Sequence, residues 1–119
     1  MQGKTLGAWG EQRAAEHLEK LGYTILKRNF RWGQKGELDI VADDHGTLVF
    51  VEVKTQESDA MGEAFTWVTP RKRRQIGRIA AAYLYVNGIT DKDCRFDVIA
   101  VARDGNEVKI QHLVNAFWL

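Results

Sequence analysis

Two carboxylates stand out because a single β-hairpin would bring them together. The segments Glu37–Asp43 and Thr47–Thr55 are rich in β-branched and apolar residues, as is typical of strands, and His45-Gly46 between them suits a two-residue turn. That turn would place Asp39 directly opposite Glu52, with β-carbons roughly 5 Å apart. Two carboxylates at that separation repel each other unless a proton or a cation lies between them.

A hard divalent ion such as Mg²⁺ or Mn²⁺ is the natural candidate for that cation. Mg²⁺ prefers oxygen ligands and typically binds through one or two carboxylates while it keeps several waters. Lys54 follows Glu52 by two residues on the same face, so its ammonium group could orient a water or neutralise charge on a phosphate.

The alternative interpretation is a solvated salt-bridge cluster on an exposed strand, because short motif matches carry false positives. The valines around Glu52 favour a central strand, where idle carboxylates are costly. Alternation also divides the hairpin into two faces, one wholly apolar and expected to lie against a helix, the other bearing the charges.

The first helix supplies a third candidate carboxylate, Glu11. Helical spacing places it on the apolar stripe with Ala14, Ala15 and Leu18, and the neighbouring Gly10 would permit a close approach of the backbone. A carboxylate on that stripe needs a partner. A metal site at the sheet would provide one; the alternative is that it reaches water or pairs with Arg28 or Arg31.

A basic cluster, Arg71-Lys72-Arg73-Arg74, opens the second helix. Cations at a helix N-terminus oppose the macrodipole, so such a cluster suggests another use, and nucleic-acid phosphates are natural partners. The alternative is a solvated face. Lys72 differs from its neighbours because it falls on the apolar stripe of the helix with Ile76, and we expect it to reach towards the sheet face of Glu52.

Other reactive residues show no pattern that indicates a site. His17, His45 and His112 lack the spacing of metal ligands and are predicted to be incidental. The single cysteine, Cys94, excludes an intrachain disulfide and a cysteine-cluster metal site.

The order of elements predicts an α/β fold. Helices are predicted over 5–21 and 70–86, and strands over 23–28, 37–43, 47–55, 95–103 and 107–113, with residues 29–36 as a loop. This order, αβββαββ, predicts a mixed central sheet of about five strands flanked by helices.

Bulk composition limits the class of protein. The 119 residues fit a single domain spanning 1–119. A hydrophobic content of 45% is typical of a folded globular protein and not of a disordered one. Lys and Arg total 17 against 16 for Asp and Glu, so net charge indicates no partner. No segment reaches the length of apolar sequence needed to span a membrane, and the N-terminal residues lack a signal-peptide core, so we expect a cytoplasmic protein.

Several of these residues resemble the PD-(D/E)xK, or restriction endonuclease-like, nuclease superfamily, in which an acidic residue precedes a hairpin that ends in Glu-x-Lys. The corresponding residues here are Asp39 and Glu52-Val53-Lys54, and Glu11 resembles the helix glutamate of many members. More closely, four segments resemble the bacterial YraN-like family, which is uncharacterised and is itself predicted to be nuclease-like. They are Gly7-Ala8-Trp9-Gly10-Glu11, Asn29-Phe30-Arg31, Gly36-Glu37-Leu38-Asp39 and Val49-Phe50-Val51-Glu52-Val53-Lys54-Thr55.

The resemblance implies a metal-dependent endonuclease that hydrolyses phosphodiester bonds of DNA. Branched or junction DNA is one candidate substrate, as in the archaeal Holliday junction resolvases. Asp39, Glu52, the carbonyl of Val53 and Glu11 would serve one or two Mg²⁺ ions, and Lys54 would orient water. The residues that would position the DNA backbone are Arg31, Arg71, Lys72, Arg73 and Arg74.

Two other classes of function stay open on the sequence alone. A DNA-binding module could keep the fold without cleaving, and would need the basic patch but not the metal. A protein-interaction domain would need neither. The sequence also leaves open whether the chain forms a homodimer.

Overall fold

A computed structural model describes residues 5–57 and 68–117 of the chain. The elements are α1 (Leu6–Lys20), β1 (Thr24–Arg31), β2 (Glu37–Asp44), β3 (Thr47–Gln56), α2 (Pro70–Val86), β4 (Cys94–Asp104) and β5 (Glu107–Leu113). The predicted α/β class and the order αβββαββ are confirmed. None of the described helices is both long and apolar enough to cross a membrane.

Both helices begin at a threonine cap. The side chain of Thr5 accepts a hydrogen bond from the amide of Ala8, and that of Thr69 accepts one from the amide of Lys72. These bonds satisfy backbone donors that have no partner within the helix. Pro70 occupies the first turn of α2, where the N–H that proline lacks would be unpaired in any case.

The five strands form one mixed sheet in the order β1-β2-β3-β4-β5. The pair β3–β4 is parallel and the other three pairs are antiparallel. A parallel pair needs a crossover, and α2 lies in the connection between β3 and β4.

The two helices cover opposite faces of the sheet. One core cluster packs against α1 and includes Ala14, Leu18, Ile40 and Val51, while the other packs against α2 and includes Val41, Leu48, Phe50, Ile76 and Ile79. The prediction that one face of the hairpin carries the charges was therefore wrong for most of its length. Both faces are apolar in the middle of the sheet because each lies under a helix, and the charges gather at one end.

The hairpin register is the predicted one. Asp44 pairs with Thr47, Val41 with Phe50, and Ile40 with Val51. His45 and Gly46 have φ angles of 51° and 100°, as a two-residue turn with two left-handed positions requires.

The prediction for β1 was too short. Asn29, Phe30 and Arg31, assigned to a loop, belong to the strand, where Phe30 pairs with Leu38 and Arg31 with Glu37. The actual loop is shorter and begins at Trp32. Arg31 therefore lies on an edge strand rather than in the predicted loop.

Candidate active site

A cavity of about 870 Å³ opens where β2 begins and β3 ends. These ends coincide because the two strands run antiparallel. The cavity brings together six of the residues predicted for a site, namely Glu11, Asp39, Glu52, Val53, Lys54 and Lys72, and it is lined in addition by Arg28, Asn29, Glu37 and Gln75.

Asp39 and Glu52 are the next positions beyond the last pair of the β2–β3 ladder, Ile40 with Val51. Instead of continuing the ladder, the amide of Val53 donates a hydrogen bond of 2.8 Å to Oδ2 of Asp39. This bond holds the Asp39 carboxylate at the edge of β3, beside the chain segment that carries Glu52.

Glu52 is buried, with 4% of the residue exposed. Its Oε2 lies 3.7 Å from the ammonium nitrogen of Lys72. Its Oε1 is also buried and has no hydrogen-bond partner in the part of the chain that the structure describes. A buried acceptor without a partner costs about 1–3 kcal/mol, and more when it is charged. A proton or a cation at this atom would remove that cost.

The pKa values of both carboxyls reflect this environment. Burial and, after it, the neighbouring charge of Asp39 raise the pKa of Glu52 to about 8, against the lowering effect of the Lys72 ammonium. Burial likewise raises the pKa of Asp39 to about 6, against the lowering effect of the Val53 amide and with a further increase from Glu11. The pair thus retains a proton near neutral pH, which a cation could replace.

Glu11 reaches the same cavity from α1, and only 12% of its side chain is exposed. Its Oε1 accepts a hydrogen bond of 2.9 Å from Nδ2 of Asn29 and lies 3.5 Å from a guanidinium nitrogen of Arg28. Glu11 therefore shares the cavity with the carboxylate pair, and its basic partner is Arg28 rather than Arg31. Its role at a metal stays a prediction.

The close approach of α1 to the end of β3 depends on Gly10. A Cβ atom at this position would collide with the side chain of Thr55, one residue beyond Lys54. The predicted role of Gly10 as a point of close approach is confirmed, and it explains how Glu11 comes to lie beside the sheet.

Asn29 is a site residue that the sequence analysis missed. It lies between the pairs Arg28–Ile40 and Phe30–Leu38, and hence opposite Asp39 in the adjacent strand. Its φ angle of 55° is left-handed, which is unusual for a non-glycine residue inside a strand. Asparagine tolerates this conformation better than most residues, and such strain is often found at functional sites.

The four basic residues of α2 that were predicted to bind DNA divide into three groups. Arg71 and Arg74 are exposed. Arg73 donates a hydrogen bond of 3.0 Å to the carbonyl of Val68, and its guanidinium lies 5.8 Å from the centre of the Phe117 ring. Lys72 faces Glu52, as predicted.

Arg31 does not line the cavity. Its side chain is 73% exposed and lies 3.3 Å from Glu37. The guanidinium that does line the cavity is that of Arg28, which donates a hydrogen bond of 2.7 Å to Gln12. Arg31 lies at the end of β1, where it pairs with Glu37, whereas Arg28 lies further inside the strand, opposite Ile40.

Two of the histidines that were predicted to be incidental have specific structural partners outside the cavity. His112 lies 2.8 Å from a carboxylate oxygen of Asp97, which is buried, and its other ring nitrogen lies 3.2 Å from His17. Arg95 also contacts Asp97 at 3.0 Å. None of these four residues lines the cavity. Within residues 5–57 and 68–117, no group of three or more His, Cys, Asp or Glu side chains is arranged to hold a metal ion.

Fold and site together define the class of protein. It is an α/β domain in which two helices cover a mixed five-stranded sheet, with a buried carboxylate pair in a cavity at the sheet end. The chain belongs to the uncharacterised protein family UPF0102, whose family model matches residues 10–101.

Curated relatives support that membership over nearly the full chain. A UPF0102 protein of Geobacter sulfurreducens is 49% identical over 117 residues, which cover 98% of this chain and 91% of the relative. One of Chlorobium phaeobacteroides is 45% identical over 118 residues, which cover 94% and 93%. These matches confirm the family that the sequence motifs indicated.

Proposed function

We propose that this protein is a metal-dependent nuclease of the restriction endonuclease-like superfamily, which hydrolyses phosphodiester bonds of DNA. The observation that carries the proposal is the unpartnered buried Oε1 of Glu52, beside Asp39 in a cavity that also contains Lys54. A buried carboxylate pair without a full set of partners is costly to keep for structural reasons alone.

The residues present fit Mg²⁺ or Mn²⁺. Asp39 and Glu52 offer the hard oxygen ligands that these ions prefer, with the carbonyl of Val53 as a further ligand and Glu11 as an outer one. When bound, such an ion supplies Lewis acidity, which makes a water more acidic and offsets negative charge on a phosphate.

The chain's own residues would position the other reactants. Lys54 would orient the attacking water or neutralise charge that develops on the phosphate. Arg28 would meet the DNA backbone inside the cavity, and the exposed Arg71 and Arg74 would meet it outside. Arg73 would not contact the DNA, because its guanidinium packs on Phe117. It would only help to place the neighbouring arginines.

The proposed partner is DNA in the cytoplasm, with branched or junction DNA as one candidate substrate by similarity to archaeal Holliday junction resolvases. A homodimer would suit such a substrate, because two copies could act on two strands.

A DNA-binding module that keeps the fold but does not cleave is the second candidate. It is favoured by the lack of a three-donor metal cluster in residues 5–57 and 68–117, and by the position of Lys72 on Glu52. Such a module would use the exposed arginines and would not depend on a divalent ion.

A cleavage assay with Mn²⁺ separates the two candidates. Linear, flapped and four-way DNA substrates are incubated with the wild type, with Glu52→Ala and with Glu57→Ala, whose carboxylate lies in an exposed pair with Arg103. The nuclease proposal expects cleavage that requires Mn²⁺, is lost in Glu52→Ala and persists in Glu57→Ala. DNA binding without cleavage by the wild type on every substrate would favour the binding module.

A further inference from the structure

Lys72 places its ammonium group beside the buried carboxylate of Glu52. It extends from the first turn of α2 into the cavity, and its Nζ lies 3.7 Å from Oε2 of a glutamate side chain that is only 6% exposed. Its own side chain is 33% exposed, so it reaches from the cavity towards solvent.

This contact is easy to exchange. At 3.7 Å it is longer than the 2.7–3.2 Å of a typical hydrogen bond, so it is an ion pair of moderate strength. A divalent ion binds carboxylate oxygens at about 2.0–2.1 Å, much closer than the ammonium. An ion on Glu52 and an ammonium that stayed in place would be like charges within about 6 Å of each other, in a buried site where screening is weak.

We propose that Lys72 is a resident counter-ion that a divalent metal displaces from Glu52, after which its ammonium binds a backbone phosphate of the nucleic acid at the cavity. The inference rests on the proposed metal site and adds to it a coupling between metal and substrate. Because binding free energies are reciprocal, the metal tightens phosphate binding and phosphate tightens metal binding by the same factor.

The competing arrangement keeps Lys72 where it is. The unpartnered Oε1 of Glu52 could receive the ion while Oε2 stays with the ammonium. In that arrangement Lys72 repels the ion without leaving Glu52, so its removal would also tighten metal binding. The gain in phosphate binding from Mn²⁺ would then be the same in the wild type and in a Lys72 variant.

Mn²⁺ binding to the full chain without DNA tests whether Lys72 opposes the ion at Glu52. Calorimetric titrations compare the wild type with Lys72→Met, with Lys72→Gln as a second neutral variant, and with Arg71→Met as the control one residue away. Removal of the Lys72 charge is expected to tighten Mn²⁺ binding about fivefold or more in both Lys72 variants. Circular dichroism checks that neither variant has changed its fold. Arg71→Met should match the wild type.

The phosphate step has its own measurement. Fluorescence anisotropy follows a phosphorothioate-substituted oligonucleotide, which resists hydrolysis, with and without saturating Mn²⁺. Mn²⁺ should tighten binding by the wild type, this gain should shrink in Lys72→Met, and Arg71→Met should weaken binding equally in both conditions.

The outcomes separate this inference from the proposed function. An unchanged or weaker Mn²⁺ affinity in folded Lys72→Met or Lys72→Gln would overturn the role of Lys72 and leave the metal site intact. If the wild type bound no Mn²⁺ at all, both the metal site and the counter-ion role would fall.

Discussion

The backbone N–H of Val53 donates a 2.8 Å hydrogen bond to the carboxylate of Asp39, just past the point where the β2–β3 ladder ends. The bond replaces a ladder contact with a side-chain contact. It fixes the Asp39 carboxylate at the cavity, although burial and the neighbouring acids disfavour its charge. An amide oxygen in the same place could accept the same bond without the charge.

Asp39→Asn should therefore separate stability from metal binding. The asparagine oxygen can still accept from Val53, and repulsion on Glu52 disappears, so the metal-free protein should be at least as stable as the wild type in urea denaturation. Mn²⁺ affinity should fall by about tenfold or more because half of the ligand charge is lost, and cleavage should be abolished.

The matched control is Asp43→Asn, on the same strand, where the carboxylate pairs with Lys92 at 3.4 Å outside the cavity. This change should leave Mn²⁺ affinity unaltered. A destabilised Asp39→Asn protein that still bound Mn²⁺ normally would make Asp39 a structural residue, and the nuclease proposal would lose its chemistry.

The stability of the metal-free protein should fall as pH rises from about 4 to about 8. The pKa values of Asp39 and Glu52 are raised on folding, to about 6 and about 8, so the folded chain holds protons that the unfolded chain has already released. Stability decreases with pH wherever the folded state binds more protons. The loss is expected to be on the order of 2 kcal/mol or more.

Urea denaturation in a chelator at pH 5, 6, 7 and 8 measures this slope, and Glu52→Gln should flatten it. The pKa of His17 is lowered by burial and by His112, and this gives a contribution of the opposite sign near pH 6. The comparison between wild type and Glu52→Gln cancels that contribution. Equal slopes in the two proteins would show that Glu52 is ionised in the folded chain throughout this range.

Asn29 should contribute to stability through its left-handed backbone and to the site through its side chain. Asn29→Ala and Asn29→Gly both remove the hydrogen bond to Glu11. Only alanine also suffers from the left-handed φ of 55°, so it should be the less stable of the two by about 1–2 kcal/mol. If Glu11 assists the reaction, both variants should lose activity alike. Equal stability of the two would show that residue 29 changes its conformation when the side chain is shortened.

Local signals were enough to predict most of the fold. Thr69-Pro70 predicts the start of α2, and the His45-Gly46 turn sets the register of the hairpin because its two left-handed residues are those of a tight turn. The extent of β1 was missed because residues 29–36 contain two glycines and mixed charge, which are typical of a loop. The prediction that one hairpin face carries the charges failed because α2 covers that face at Phe50. No local sequence pattern predicts where α2 lies.

The carboxylate pair could be predicted because its two residues are close in sequence, whereas the histidine contact outside the cavity was missed because its residues are distant. Asp39 and Glu52 share one hairpin, so strand alternation and turn length suffice to bring them together. The contact between His17 and His112 joins residues 95 positions apart, across α1 and β5. Only the packing of the helix on the sheet brings these rings together, and neither residue has a motif around it.

DNA binding should depend on the exposed arginines of α2 and not on Arg73. Neutralising Arg71 and Arg74 to Gln should weaken binding to all sequences and reduce the slope of log affinity against log salt by about 2. Arg73→Gln should instead lower stability, because it loses the Val68 hydrogen bond and the contact with Phe117. An unchanged salt slope in the double variant would show that the cluster is only a solvated face of the helix.

The network around Asp97 should stabilise the fold without taking part in metal binding. Asp97 accepts hydrogen bonds from Arg95, His112 and the amide of Asn115, and these lower its pKa although burial opposes them. Asp97→Asn would leave the guanidinium of Arg95 without its most buried counter-charge, which should cost about 3 kcal/mol in urea denaturation near neutral pH. Asp44→Asn is the control.

Asp44 meets the same guanidinium from its more exposed side, at 3.0 Å, so its loss should cost less. The Asp97 contribution should also vanish at low pH, because a carboxyl with a lowered pKa stabilises the fold only while it is ionised. The difference in stability between wild type and Asp97→Asn should therefore begin to shrink below about pH 4 and vanish once the pH falls below the lowered pKa of folded Asp97. Mn²⁺ affinity per folded molecule should be the same in both, since Asp97 does not line the cavity. A loss of Mn²⁺ binding in folded Asp97→Asn would instead show that the network sets the position of β4 beside the carboxylate pair.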